Sequence, residues 1–187
     1  MEKTPNLNPL RLRKKHGDGS GLDVTAADGA RLVHAQSFRT AVVAGLIVIV
    51  VFCILWLWLT VQTDRIFPWM TVVQGTLLGL AIRRAGRGVD WRFPTLAAVM
   101  AVAGAVIGNI VLGASTTADD YGIGTVETLR LTTNMTWPLF FDEVWNIADG
   151  FFAVVAAGFA AFFANRRLSR AQFYALRRWR EEQQQDD

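Results

Sequence analysis

Thr40 to Thr63 reads TAVVAGLIVIVVFCILWLWLTVQT, 24 residues without a charge, held between Arg39 and Asp64. A bilayer's hydrocarbon core is about 30 Å thick, so a crossing helix needs roughly 20 apolar residues, and each peptide group within it must bond inside its own segment. The run meets both demands. A removable export signal has a short basic start, an apolar run of about 7–15 residues and a small-residue cleavage site. Here 39 mostly polar residues come first and Thr-Asp-Arg follows, so the run is expected to stay as an anchor.

Working outward, three further stretches have the same character. Residues 66–82 are a short apolar run ending at Arg83 and Arg84, residues 93–115 carry no charge, and residues 138–164 are apolar except for Asp142, Glu143 and Asp149 in one half. None alternates apolar and polar residues, so helices are expected rather than barrel strands. Residues 40–164 hold 14 of the chain's 35 charged side chains and the flanking segments hold the other 21. With 52% hydrophobic residues and a single cysteine, Cys53, that partition excludes a soluble one-core enzyme, a disordered chain and a disulfide scaffold. Cys53 itself reads as a small apolar side chain.

Lys and Arg near span ends tend to remain cytoplasmic. Their numbers along the tail, three loops and second tail are 7, 1, 4, 1 and 6, which predicts both termini in the cytoplasm. Trp58, Trp69 and Trp137 then fall at the outer interface and Trp91 at the inner one, where amphipathic rings anchor. Arg83, Arg84, Arg87 and Arg92 are expected to meet inner headgroups across a tight turn that Gly86 and Gly88 permit. That turn lacks the Gly-x-x-x-x-Gly-Lys-Ser/Thr pattern of a phosphate loop.

The wet segments carry less information. Residues 1–39 read as a mostly disordered basic tail, with Arg11, Arg13, Lys14 and Lys15 either fixing topology or attracting anionic lipid. His16 and His34 are isolated from each other and from any cysteine pair, so no metal site is expected. In residues 165–187, Leu168, Ala171, Ala175, Leu176 and Trp179 recur at helical spacing with arginines between them. That is a basic amphipathic helix with an acidic tail, suited to a membrane surface or a partner. The loop 116–137 has too little apolar material for a domain of its own, and its Asn134-Met135-Thr136 acceptor pattern sits against the membrane face.

Carboxylates inside a span are costly and need a partner or a wet cavity. Asp142, Asn146 and Asp149 are spaced by four and then three, which places them on one face of a continuous helix. At about 1.5 Å per residue, Asp149 lies roughly 22 Å above the inner edge, level with Asn109 of the third span. An Asp149–Asn109 hydrogen bond is therefore expected. The set is either interhelical glue or, with Asp142 and Glu143, a proton or cation relay, and the sequence favours glue. Gln74 is expected to lie too deep to join it. Gly75 with Gly79, and Gly104 with Gly108, form small-x-x-x-small pairs that predict an antiparallel hairpin of the second and third spans.

The run GLAIRRAGRGVDWRF, Gly79 to Phe93, followed by Gly108-Asn109-Ile110 in the next span, resembles a segment of small bacterial membrane proteins of undescribed function. Their pattern is Gly-x-Ala-Val/Ile-Arg-x-x-Gly-Arg/Lys-Gly with a Gly-Asn pair late in the next span. The resemblance covers about 35 residues and implies no activity. The zinc-ribbon start of some similar proteins is missing here.

No catalytic set emerges, because both histidines sit in the tail, far from the acidic cluster. The expectation is an all-α protein: a four-helix transmembrane bundle with a disordered N-terminal tail and a C-terminal cytoplasmic amphipathic helix, in a bacterial inner membrane. It has no cofactor or metal. Its partners are the lipid bilayer and other membrane subunits or a second copy, not nucleic acid. The expected role is a non-catalytic accessory or scaffold subunit. The alternatives are a small oligomeric transporter or ion or proton pathway through Asp149, Asn109 and Asp142 and, more weakly, an enzyme acting on a lipid-linked substrate.

Overall fold

Thr25 and Asp28 close on each other at the head of the first helix. Asp28 Oδ2 accepts the Thr25 N–H at 3.1 Å and the Thr25 hydroxyl at 2.9 Å, while Asp28 N–H bonds Thr25 O at 3.1 Å. The helix they start, α1 (Ala26–His34), falls inside the tail expected to be irregular. It is one of eight helices, with no strand, among the residues that this computed structural model describes, 25–132 and 136–186 without the side chains of Glu143 and Asp186. The basic cluster at Arg11 to Lys15, His16 and Asn134 lie outside the described residues.

Helix α2 (Phe38–Thr63) contains the whole uncharged run and starts two residues before it. Ser37 caps it, accepting the Thr40 N–H at 3.4 Å. Helix α3 (Met70–Gly86) is displaced by four residues from the expected 66–82, because a turn at Phe67 and Pro68 comes first, with Met70 N–H bonded to Phe67 O. Helix α4 (Arg92–Tyr121) outlasts the expected end at residue 115. It stops at Gly122, whose φ of 65° is the left-handed conformation glycine adopts freely, and Ile123 N–H closes back on Ala118 O at 3.0 Å.

The loop beyond contains a short helix, α5 (Thr125–Leu131). The span expected at 138–164 is two helices, α6 (Trp137–Val144) and α7 (Ile147–Ala164), separated by extended backbone at Trp145 and Asn146. The C-terminal amphipathic segment forms α8 (Arg170–Asp186), which runs through most of the acidic tail. Ser169 and Gln172 start it by reciprocal bonds at 3.1 and 3.3 Å, the Ser-x-x-Gln form of a capping box.

The described residues divide into two units, those within 31–167 and residues 25–30 with 168–186. In the smaller unit, Gly29 is buried against the backbone of Ala175 and the side chain of Trp179. In the larger, α2, α3, α4 and α7 pack together, with α3 touching all three of the others. Three of these helices, α2, α4 and α7, are long and apolar enough to cross a membrane. Their outward faces have the matching composition: Val43, Ile47, Val50, Ile54 and Val61 of α2 are each more than half exposed, a patch that water would oppose and lipid would not.

Helix α3 is the enclosed one, with Leu78 and Ile82 fully buried. Helices α3 and α4 do pack on each other, as the expected hairpin has it, but Gly75 and Gly79 face α7 and not α4. A Cβ on Gly75 would meet the Ala156 carbonyl carbon at 2.9 Å, and one on Gly79 would meet Phe163 Cβ at 3.0 Å. Ala153, Ala156, Ala160 and Ala164 line the opposing face of α7, all buried. A glycine pair against an alanine row brings the two backbones close enough for dispersion to hold them without a hydrophobic drive.

At the arginine end, three successive carbonyls that end α3 are satisfied from elsewhere in the same unit. Thr40 Oγ1 donates to Ala85 O at 2.9 Å, Ser37 N–H to Gly86 O at 3.0 Å, and Arg166 Nη1 to Arg87 O at 3.2 Å. These are the groups a helix end leaves without internal partners. Gly86 and Gly88 lie under the Phe93 ring, which is only 3% exposed. Thr40→Val keeps the shape and removes one of the three bonds. We expect it to lower stability by about 1 kcal/mol, measured by thermal unfolding in detergent.

Candidate functional site

Of the four residues expected to form a polar cluster, the structure buries two, Asn109 and Asp149, each 5% exposed, while Asp142 and Asn146 of the expected stripe are exposed. The stripe does not form because its helix is broken. Asn146 is the N-cap of α7: its Oδ1 accepts the Asp149 N–H and Asp149 Oδ2 accepts the Asn146 N–H, both at 3.1 Å. The pair thus satisfies two donors at the helix start, where a carboxylate is also favoured by the helix dipole. The expected Asp149–Asn109 hydrogen bond is absent, and Asn109 Nδ2 has no partner. Asp149→Ala is expected to lose about 1 kcal/mol of stability and Asp149→Asn, whose Oδ1 can still accept, clearly less, compared by their unfolding midpoints.

Asn109 has other company. Among the described residues, five side-chain atoms are buried without a hydrogen-bond partner: Trp56 Nε1, Thr60 Oγ1, Gln74 Nε2 and Oε1, and Asn109 Nδ2. Trp56 and Thr60 stand one turn apart on α2, Gln74 comes from α3 and Asn109 from α4. The glycines of α4 make room for two of them. Gln74 Nε2 would be 2.7 Å from a Cβ on Gly104, and the Trp56 ring 3.0 Å from one on Gly108, so Gly104 and Gly108 receive side chains rather than a neighbouring backbone.

This interior differs from the expected one in membership and in chemistry. Gln74 belongs to it, at 1% exposure, and so does Trp56 at 0%, unlike Trp58, Trp69, Trp91 and Trp137, expected at the interfaces, which are all exposed. Thr71 is equally buried, but its hydroxyl bonds Pro68 O at 2.8 Å. The unpaired set is rich in donors, one indole N–H, two amide NH₂ groups and a hydroxyl, with Gln74 Oε1 as its carbonyl acceptor. None of these groups exchanges protons near neutral pH. They can hold a hydrogen-bonding guest such as water, and they cannot relay a proton by their own titration.

Arg84, Arg87 and Arg92 are exposed and Arg83 half-buried at the ends of α3 and α4, and none of the four forms an ion pair among the described residues. Among those residues no three His, Cys, Asp or Glu side chains gather as a metal site. Compared with protein-family models, with curated proteins and with solved structures, the chain matches none.

Proposed function

We propose that the chain is a four-span protein of a bacterial cytoplasmic membrane, both ends cytoplasmic, that works without catalysis as an accessory or scaffold subunit. Three helices have the length and composition to cross, and α3, packed among them, serves as the fourth span because its neighbours shield Thr71 and Gln74 from lipid. The arginine and lysine distribution supports the orientation, and the resemblance of residues 79–93 supports the bacterial setting. The observation that carries the subunit reading is the state of Asp149. The buried carboxylate of the expected cluster is engaged in a helix cap, and the α3–α7 interior beside it is filled by glycine and alanine. Helix α8 then offers a basic amphipathic face to a partner on the cytoplasmic side.

Affinity purification of the full chain from native membranes in mild detergent tests this. Stoichiometric co-purification of another membrane protein, reduced by substitutions on the exposed face of α8, is expected. Recovery of the chain alone as a monomer would overturn it. A pathway for a small solute is the second reading, and the unpaired atoms of Trp56, Thr60, Gln74 and Asn109 favour it. Asp149→Asn bears on its proton-coupled form, which fails if the variant retains full function.

A further inference from the structure

Among the described residues, the helices of the larger unit carry several grooves, three of them lined mainly by apolar side chains. One lies along α7 at Val155, Gly158 and the neighbouring phenylalanines, one between α2 and α4 around Cys53 and Met100, and one between α2 and α3. The first two have wholly apolar linings. The third, about 370 Å³, is walled by Ile47, Val51 and Leu55 of α2 and by Leu77 and Ala81 of α3, and Arg84, the lining residue nearest the C-terminal end of α3, is the one charged residue in its lining. No carboxylate lines it and Arg84 has no ion-pair partner among the described residues.

We propose that this groove is a binding site for one anionic phospholipid, its acyl chain along α2 and α3 and its phosphate on Arg84. The dimensions agree. From Ile47 to Leu55 is eight helical steps, about 12 Å, against roughly 15 Å for one leaflet's hydrocarbon. Charge placement selects the occupant: a partner helix would need to bring a carboxylate to Arg84, whereas every anionic phospholipid carries its phosphate at the end of its apolar chains. Arginine's planar fork suits that phosphate by two parallel hydrogen bonds. The backbone beneath is held in place by the Thr40, Ser37 and Arg166 bonds to the end of α3, so the cation stands on a fixed platform. The inference rests on the four-span reading proposed above and is independent of the subunit or pathway role.

The test is native mass spectrometry of the full chain released from nanodiscs containing equal phosphatidylglycerol and phosphatidylcholine. Selective retention of one phosphatidylglycerol is expected. Arg84→Gln should cut it about fivefold, the factor that one cation near an anionic surface contributes, and Arg84→Lys should retain part of it. Ala81→Phe, which fills the groove and leaves the charge, should cut it as far. Arg167→Gln removes a cation outside the groove and should leave retention within twofold. Equal retention of the zwitterionic lipid, an equal loss in Arg167→Gln, or undiminished binding in Ala81→Phe would each overturn the proposal. If Arg84→Gln does not fold, Arg84→Lys and Ala81→Phe decide it.

Discussion

Gly75→Leu is expected to lower the stability of the purified protein by about 3 kcal/mol, the upper part of the usual range for overpacking. The reason is that the obstacle is backbone. A Cβ at this position runs into the Ala156 carbonyl, which cannot swing away as a side-chain tip can. The α3–α7 pair must separate, and the contact one turn along, Gly79 on Ala160, opens with it. Detergent thermal denaturation followed by size-exclusion recovery measures the loss. Gly158→Ala is the matched comparison: it is also a glycine of α7, but its added methyl meets nothing within 4 Å, so it should change stability by less than about 1 kcal/mol. Equal effects at the two positions would show that the α3–α7 contact is not what holds the helices.

Gln74→Met should have the opposite sign and raise stability by about 2 kcal/mol. Both amide atoms of Gln74 are buried without partners, and each unpaired polar atom costs about 1–3 kcal/mol. Methionine has nearly the same length and flexibility and fits over Gly104 without a polar atom. The gain stays below the sum of two such costs, because a helix unfolded within the membrane also lacks water for that amide. A fall in stability would mean that the amide is paired in the working protein, by water or by another subunit. Asn109→Leu run in parallel should move the same way by a smaller amount, since a single unpaired atom is relieved there.

How much of this was legible beforehand differs from element to element. The run 40–63 was unambiguous, since lipid tolerates one backbone form over that length, and the helix there is off by only two residues at its start. In residues 138–164 a spacing of four and then three suits a continuous helical face, while Asn146 and Asp149 alone also match an N-cap with an acidic residue three positions on. The cap prevails because it satisfies two backbone donors at once. Thr25-x-x-Asp28 carried the same kind of signal for α1, in a tail whose polar composition argued for disorder. The glycine pairs were readable as close-approach sites, but a glycine carries no information about which helix will approach it. Gln74 and Trp56 could be placed by depth, yet their burial depends on how α2, α3 and α4 are arranged around them.

The enclosed position of α3 has a bearing on biogenesis. Its glycine notches find their alanine row only when α7, which starts at Ile147, has emerged from the ribosome. Until then the nascent protein exposes Gly75 and Gly79 on a half-assembled sheaf, so completion of the fold waits on synthesis of α7. A ribosome stalled before Ile147 therefore leaves an intermediate with an open seam, the kind of flaw on which intramembrane quality control can act.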